Sequence, residues 1–285
     1  MKEEYGDDST TSAPGPVREL LNRLSAGLKV RMIMTPRSDF MACAPTETVA
    51  EVVERNRLDR FSYIPVMRES ACVGLLHAER WFSDPAPTSP VSEYLEPLSE
   101  SNLIGGNASI LDFVGAADTR PCRLVVSGER IEGLVSLSDL QHLPVRSALF
   151  AMITALELCM ADLIRMRHPD LSWLDYLSED RSAKIRDEIA RSQREDGYVD
   201  ALLFTQFSDK GTIIRKSLAR ELGLSGTYLN RILGELTRLR DNLAHANQYA
   251  ATPSEGKHVC SVVREAFRLL HALEGVARVN IAVPA

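Results

Sequence analysis

Three blocks in the first half of the chain recur, in the same order, about sixty residues further on. Thr48-Val49-Ala50-Glu51-Val52-Val53 is echoed by Ser109-Ile110-Leu111-Asp112-Phe113-Val114, an offset of 61. Tyr63-Ile64-Pro65-Val66 lines up with Arg123-Leu124-Val125-Val126 at 60, and Gly74-Leu75-Leu76 with Gly133-Leu134-Val135 at 59. One such match arises easily by chance; three in order, with only two single-residue deletions, do not. The first block in each copy has helical periodicity, and the other two read as short buried strands. A tandem of two α/β units of roughly 60 residues is the fold this pattern demands.

The rest of the chain is organised around that tandem. Residues 1–16 mix acids with Ser, Thr, Pro and Gly, and read as a disordered tail. The tandem occupies 17–143, with a first repeat at 17–82, a Pro/Ser connector, and a second repeat at 90–143. From Pro144 the pattern turns helical, so 144–280 reads as an all-α domain. The expected class is thus multidomain, α/β followed by all-α. No run approaches the ~18 consecutive apolar residues of a membrane span, and the acidic N-terminus is no secretory signal, which predicts a cytoplasmic protein without membrane association. The cysteines (43, 72, 122, 159 and 260) are five in number and widely spaced, a pattern that suggests neither a disulfide framework nor a zinc site.

The second repeat carries a site candidate. Its last strand, Gly133-Leu134-Val135-Ser136, runs into Leu137-Ser138-Asp139-Leu140 at a helix start. A hydroxyl there can hold a phosphate beside free backbone N–H groups, and a carboxylate one turn on can accept ribose hydroxyls. The same residues also read as a plain helix cap, with Ser136 as the cap and Asp139 as a first-turn acid. The run CRLVVSGERIEGLVSLSDLQHL (122–143) resembles the last repeat of the γ subunits of AMP-activated kinases, so the tandem resembles a cystathionine-β-synthase (CBS) domain pair, or Bateman module. That resemblance implies two βαββα units. It also implies an adenine nucleotide (AMP, ADP or ATP) as regulatory ligand, with Ser136, Asp139 and Arg123 as nucleotide-binding residues. The first repeat departs from the pattern: His77 replaces the hydroxyl, Arg80 the Asp, and Ile64 stands where Arg123 does.

In the second half, Leu229, Ile232, Leu233, Leu236, Leu239 and Leu243 share one face of a helix starting near Ser225. The helix closes on Arg240, Asp241, Asn242, His245 and Asn247, away from that face. Arg can neutralise a phosphate and His can move a proton, so the pair could cleave RNA through its 2′-hydroxyl without a metal. Asp241, one turn before His245, could set the His tautomer. The bland alternative is a solvated helix end with a surface His. LRDNLAHAN (239–247) resembles the R-x4–6-H motif of the HEPN superfamily. That family is a helical bundle that dimerises to form an RNase cleft, which implies Arg240, Asp241 and His245 as the catalytic set. It further implies RNA as substrate and a homodimer through the CBS pair and the helical domain. Glu157 and Asp162 are further acid candidates, and no metal is expected.

Two rivals stand beside this reading. SLARELGLSGTYLNRILGEL opens a 217–239 segment with the look of a helix-turn-helix, with Gly223 in the turn and Ser225 as cap, which would make the protein a DNA-binding regulator with a CBS sensor. The other rival is a nucleotide-sensing interaction protein that does no chemistry. Charge bears on the first of these. The net −6 resides in residues 1–147, with 15 basic against 21 acidic residues; 148–285 hold 18 of each. A neutral helical domain lacks the broad basic footprint of a DNA binder but still allows a local arginine cleft.

Overall fold

The computed structural model describes residues 16–194 and 200–281. The expected disordered tail lies, but for Pro16, outside the described residues. The repeat is realised as two copies of helix plus β-hairpin. In the first, α2 (Val49–Arg55) precedes β2 (Tyr63–Arg68) and β3 (Ala71–His77); in the second, α3 (Ile110–Val114) precedes β6 (Cys122–Ser127) and β7 (Arg130–Ser136). Helix α1 (Pro16–Gly27) and strand β1 (Thr35–Pro36) come before the first copy, and β4 (Glu96–Pro97) and β5 (Leu103–Gly105) lie between the two. Thr48 caps α2, its hydroxyl accepting from Glu51 N at 3.2 Å while the Glu51 carboxylate accepts from Thr48 N at 2.9 Å. Ser109 caps α3, accepting from Leu111 N at 3.1 Å.

The repeats interlock by exchanging their leading strands. β1 pairs with β7 of the second repeat, and β4 pairs with β3 of the first. The result is one sheet in the order β1-β7-β6-β5 and another in the order β2-β3-β4. This exchange explains the glycine that recurs in both copies. A Cβ on Gly74 would stand 2.2 Å from the Glu96 carbonyl oxygen, and one on Gly133 would stand 2.4 Å from that of Thr35. Only glycine lets the incoming strand approach so closely.

The structure also adjusts the strand alignment. Both hairpins carry a bulge, between Val66 and Met67 and between Val125 and Val126, an offset of 59 rather than 60. Tyr63 therefore matches Cys122, and Ile64 matches Arg123.

The chain divides into two compact units that differ from a break at 143/144. One holds Ser25–Phe150 together with Arg238–Glu265; the other holds Ala151–Thr237 with described residues of 16–24 and 266–281. Three long helices contribute to both: α4 (Leu143–Arg167), α7 (Gly226–Ala244) and α8 (Pro253–Ile281). The segment 238–265 joins the α/β repeats through specific polar contacts. Arg146 donates to the carbonyls of Asn242 and Leu243 (both 3.0 Å) and Asn247 (2.8 Å), capping the end of α7. Its guanidinium lies 5.0 Å from the Tyr249 ring centroid. Arg264 pairs with both carboxylate oxygens of Asp118, at 2.7 and 2.6 Å. This fork holds the Asp118 carboxyl below the usual carboxylate range. Residues 238–265 read as the end of one helix, a loop and the start of the next, and nothing in that pattern marks the change of allegiance.

The other unit is helical, with α5 (Glu179–Arg194) and α6 (Phe207–Ser217) beside the three long helices. Leu229, Ile232, Leu233 and Leu236 of α7 are all buried, as their spacing requires. By length and composition α4 is long and apolar enough to cross a membrane, although Arg146, Glu157 and Asp162 keep it from being a run of 18 consecutive apolar residues. Fifty-six per cent of its apolar window is buried inside the structure. Glu157, on that helix, holds Lys210 of α6 at 2.9 Å. The helix-turn-helix expectation is corrected too: the would-be first helix after Ser217 is a hydrogen-bonded turn at 218–224, and the preceding helix is α6. Gly223 does take the left-handed conformation, φ +64°, and the Ser225 hydroxyl accepts from Tyr228 N.

Candidate functional site

Strand alternation decides what faces the space between the two hairpins. Cys122 pairs with Ser136 and Leu124 with Leu134, so these four share one face of their sheet. Arg123 and Val135 take the opposite face. On the first face opens a cavity of about 510 Å³, within the size range of small-molecule sites. The second hairpin lines it with Cys122, Leu134 and Ser136, and the turn behind β7 adds Leu137 and Ser138. The first repeat contributes Phe61, Ser62, Tyr63, His77 and Glu79; the segment around β1 adds Thr35, Asp39, Phe40 and Met41. A further wall, Ala250–Pro253 and Lys257, comes from the loop before α8 and its first turn. Sequence reading missed this wall, because it assigned those residues to a separate domain.

Two features give the cavity its chemistry. The rings of Tyr63 and His77 are stacked, 4.5 Å apart and 9° from parallel, which makes a flat aromatic surface. Burial holds the Tyr63 phenol above its ordinary range, so it stays a neutral hydroxyl. The hydroxyls of Ser136 and Ser138 lie 2.6 Å apart at the turn. Thr35 and Ser62 supply two more hydroxyls. His77, which takes the place of a hydroxyl in the repeat, is thus the lower half of the aromatic stack, its Nε2 3.5 Å from Glu79 Oε2. Cys122 is no nucleophile, because burial pushes its thiol up to about 12.

The three expected nucleotide-binding residues do not converge. Ser136 lines the cavity. Asp139 is 5% exposed and does not line it; its carboxylate accepts from Ser136 N at 2.6 Å and from the Ser136 hydroxyl at 3.3 Å. Burial first of all raises the Asp139 carboxyl above its ordinary value. In this conformation the capping role describes Asp139. Arg123 does not line the cavity: it lies on the far face of the sheet, 7% exposed, where the first repeat has the fully buried Ile64. Its Nε and Nη2 meet no hydrogen-bond partner among the described residues. Burial, and then nearby Arg120, pull its guanidinium down from the usual value.

The Arg240–His245 turn is a second feature. Arg240 and Asp241 are paired with each other at 3.3 Å, both substantially exposed. Asp241 therefore holds Arg240 rather than His245, contrary to expectation. His245 is exposed, and its N–H continues the helix to the Asp241 carbonyl at 3.0 Å. No hydrogen bond or ion pair joins Arg240 to His245 among the described residues. Glu157 and Asp162 have other work: Glu157 holds Lys210, and Asp162 lies 2.6 Å from Arg165. Among the described residues no group of three or more His, Cys, Asp or Glu is placed to hold a metal.

The cavity and the turn are neighbours along the chain. The loop that leaves His245 passes Ala246, in the left-handed conformation at φ 55°, and then forms the cavity wall at Ala250–Pro253. Tyr249 donates its hydroxyl to the Leu140 carbonyl. With its carboxamide oxygen turned to the loop, Gln141 accepts from the amides of Tyr249 (3.1 Å), Ala250 (2.8 Å) and Ala251 (3.2 Å).

No protein-family model matches the chain, and no curated protein is similar to it. Among solved structures, the CBS domain of the bacterial CNNM/CorC-family Mg2+ transporter in complex with ATP is similar at 23% identity, over 44% of this chain and 94% of that one, with a TM-score of 0.35. The CBS domains of a transcriptional regulator from Streptococcus pneumoniae are similar at 20% identity, over 39% and 95%, with a TM-score of 0.34. CBSX2 in complex with AMP is similar at 16% identity, over 42% and 96%, with a TM-score of 0.35.

Proposed function

We propose that the repeats form a CBS pair whose cavity binds an adenine nucleotide, and that the chain is a nucleotide-responsive regulator. One observation carries this reading: the Tyr63–His77 stack and the Ser136–Ser138 hydroxyls line the same cavity. A flat aromatic surface suits a base, and clustered hydroxyls suit ribose and phosphate oxygens. The sequence resemblance of 122–143 points the same way. Calorimetry on the full chain should show binding of adenine nucleotides, and the double change Ser136→Ala and Ser138→Ala should weaken it about tenfold, the loss of one or two hydrogen bonds. No heat with any adenine nucleotide would sink the reading.

A second reading concerns the output. We propose that the Arg240–His245 turn acts on RNA, with Arg240 neutralising a phosphate and His245 moving a proton. What favours it is that Arg240, Asp241 and His245 lie open to a ligand at a helix end that Arg146 holds fixed. No hydrogen bond or ion pair joins Arg240 to His245 among the described residues, and in this reading a second copy completes the cleft. Single-stranded RNA should be cut in the presence of EDTA, and His245→Ala should abolish cutting. Equal cutting by the variant would remove His245 from the chemistry. Specific DNA-duplex binding without RNA cleavage would favour the regulator reading instead. The loop from His245 to the cavity wall is the route by which nucleotide could govern this turn.

A further inference from the structure

We propose that Lys257, on the first turn of α8, is the phosphate partner in the cavity, and that the site takes a nucleoside monophosphate in preference to a triphosphate; this rests on the nucleotide reading above. Lys257 lines the cavity, and its ammonium makes no hydrogen bond or ion pair with any described residue. Its position is built by close packing. A Cβ on neighbouring Gly256 would be in ordinary contact with Leu140 Cδ1 at 3.4 Å and Leu137 Cδ2 at 3.5 Å, so the start of α8 packs against the turn that follows Ser136. The Gln141 and Tyr249 hydrogen bonds hold the preceding loop against that same turn. The lysine thus lines the same cavity as the hydroxyl pair, where it can reach a phosphate attached to a bound ribose.

The charges around the cavity limit how much phosphate it can take. Its carboxylates are Asp39, Asp59 and Glu79; its permanent cations are Arg60 and Lys257. Arg60 is engaged over the Phe82 ring, 4.7 Å from the centroid, and His77 Nε2 faces Glu79. Arg123, the one buried arginine of the second hairpin, faces away. With one free lysine against three carboxylates, a phosphate monoester of charge near −2 meets less repulsion than a triphosphate, whose further charges would face those acids.

The test is equilibrium binding of adenosine, AMP, ADP and ATP to the full-length protein, with Lys257→Ala and Lys257→Arg beside it. AMP is expected to bind at least tenfold more tightly than ATP. Lys257→Ala should weaken AMP about tenfold, the loss of one charge-assisted contact, and leave adenosine unchanged, while Lys257→Arg retains most AMP affinity. ATP binding as tight as AMP would overturn the monophosphate preference. AMP affinity indifferent to Lys257→Ala would overturn the lysine's role while leaving the nucleotide reading intact. Failure of both adenosine and AMP to bind wild type would remove both.

Discussion

Glu157→Ala should destabilise the helical unit by about 2–3 kcal/mol, somewhat under the 3–5 kcal/mol typical of breaking a fully buried pair. The reason is the partner left behind. Lys210 is 6% exposed, and its ammonium is shared between the Glu157 carboxylate and the Thr205 carbonyl, each at 2.9 Å. Without Glu157 the lysine keeps one neutral acceptor and only the more distant carboxylate of Asp200. The discount reflects Glu157 itself, whose side chain is 26% exposed. Urea unfolding followed by circular dichroism measures the loss. Adding Lys210→Met to the variant should recover most of it, because the orphaned charge is then gone. If Glu157→Ala leaves stability unchanged but lowers RNA cleavage, the acid belongs to the chemistry after all.

The second large effect has the opposite sign. Arg123→Met is expected to stabilise the α/β unit by about 1–3 kcal/mol. Most mutations of a buried residue destabilise, so this outcome is diagnostic. Arg123 occupies the site that the first repeat fills with Ile64, and two of its nitrogens lack partners. Methionine has similar length and no charge, so it fills the space without the desolvation cost. Adenine-nucleotide affinity should stay within about twofold of wild type, since the residue lies on the face away from the cavity. A loss of stability, or loss of nucleotide binding, would mean that Arg123 meets an anion, as the family resemblance implied.

The fate of Arg123 shows why some of the site was illegible. The resemblance to a CBS pair implied a phosphate role for Arg123, and it said nothing of the face of β6 that the residue takes. In a pleated strand, neighbours point to opposite faces, so a one-residue error in alignment exchanges cavity for core. The offset is 59 in both strands, set by matching bulges, and it places the buried Ile64 opposite Arg123. Lys257 was hidden for another reason. Nothing in a run of helical residues says which unit it packs on; Gly256 against Leu137 and Leu140 says so only in three dimensions. Ser136 was legible because its role is local, at the junction of a strand and a turn.

Sequence alone determined the repeat, the α/β class of the first half, the helical class of the second, and the buried face of α7. Each follows from periodicity or self-similarity, which are properties of neighbours along the chain. The tertiary structure alone decided that β1 and β4 change partners, that residues 238–265 join the repeats, and that His77 lies beneath Tyr63 in the cavity that Lys257 closes. These are long-range choices. They depend on a glycine's missing Cβ, on one arginine capping a distant helix, and on the face a strand presents, none of which a local pattern encodes.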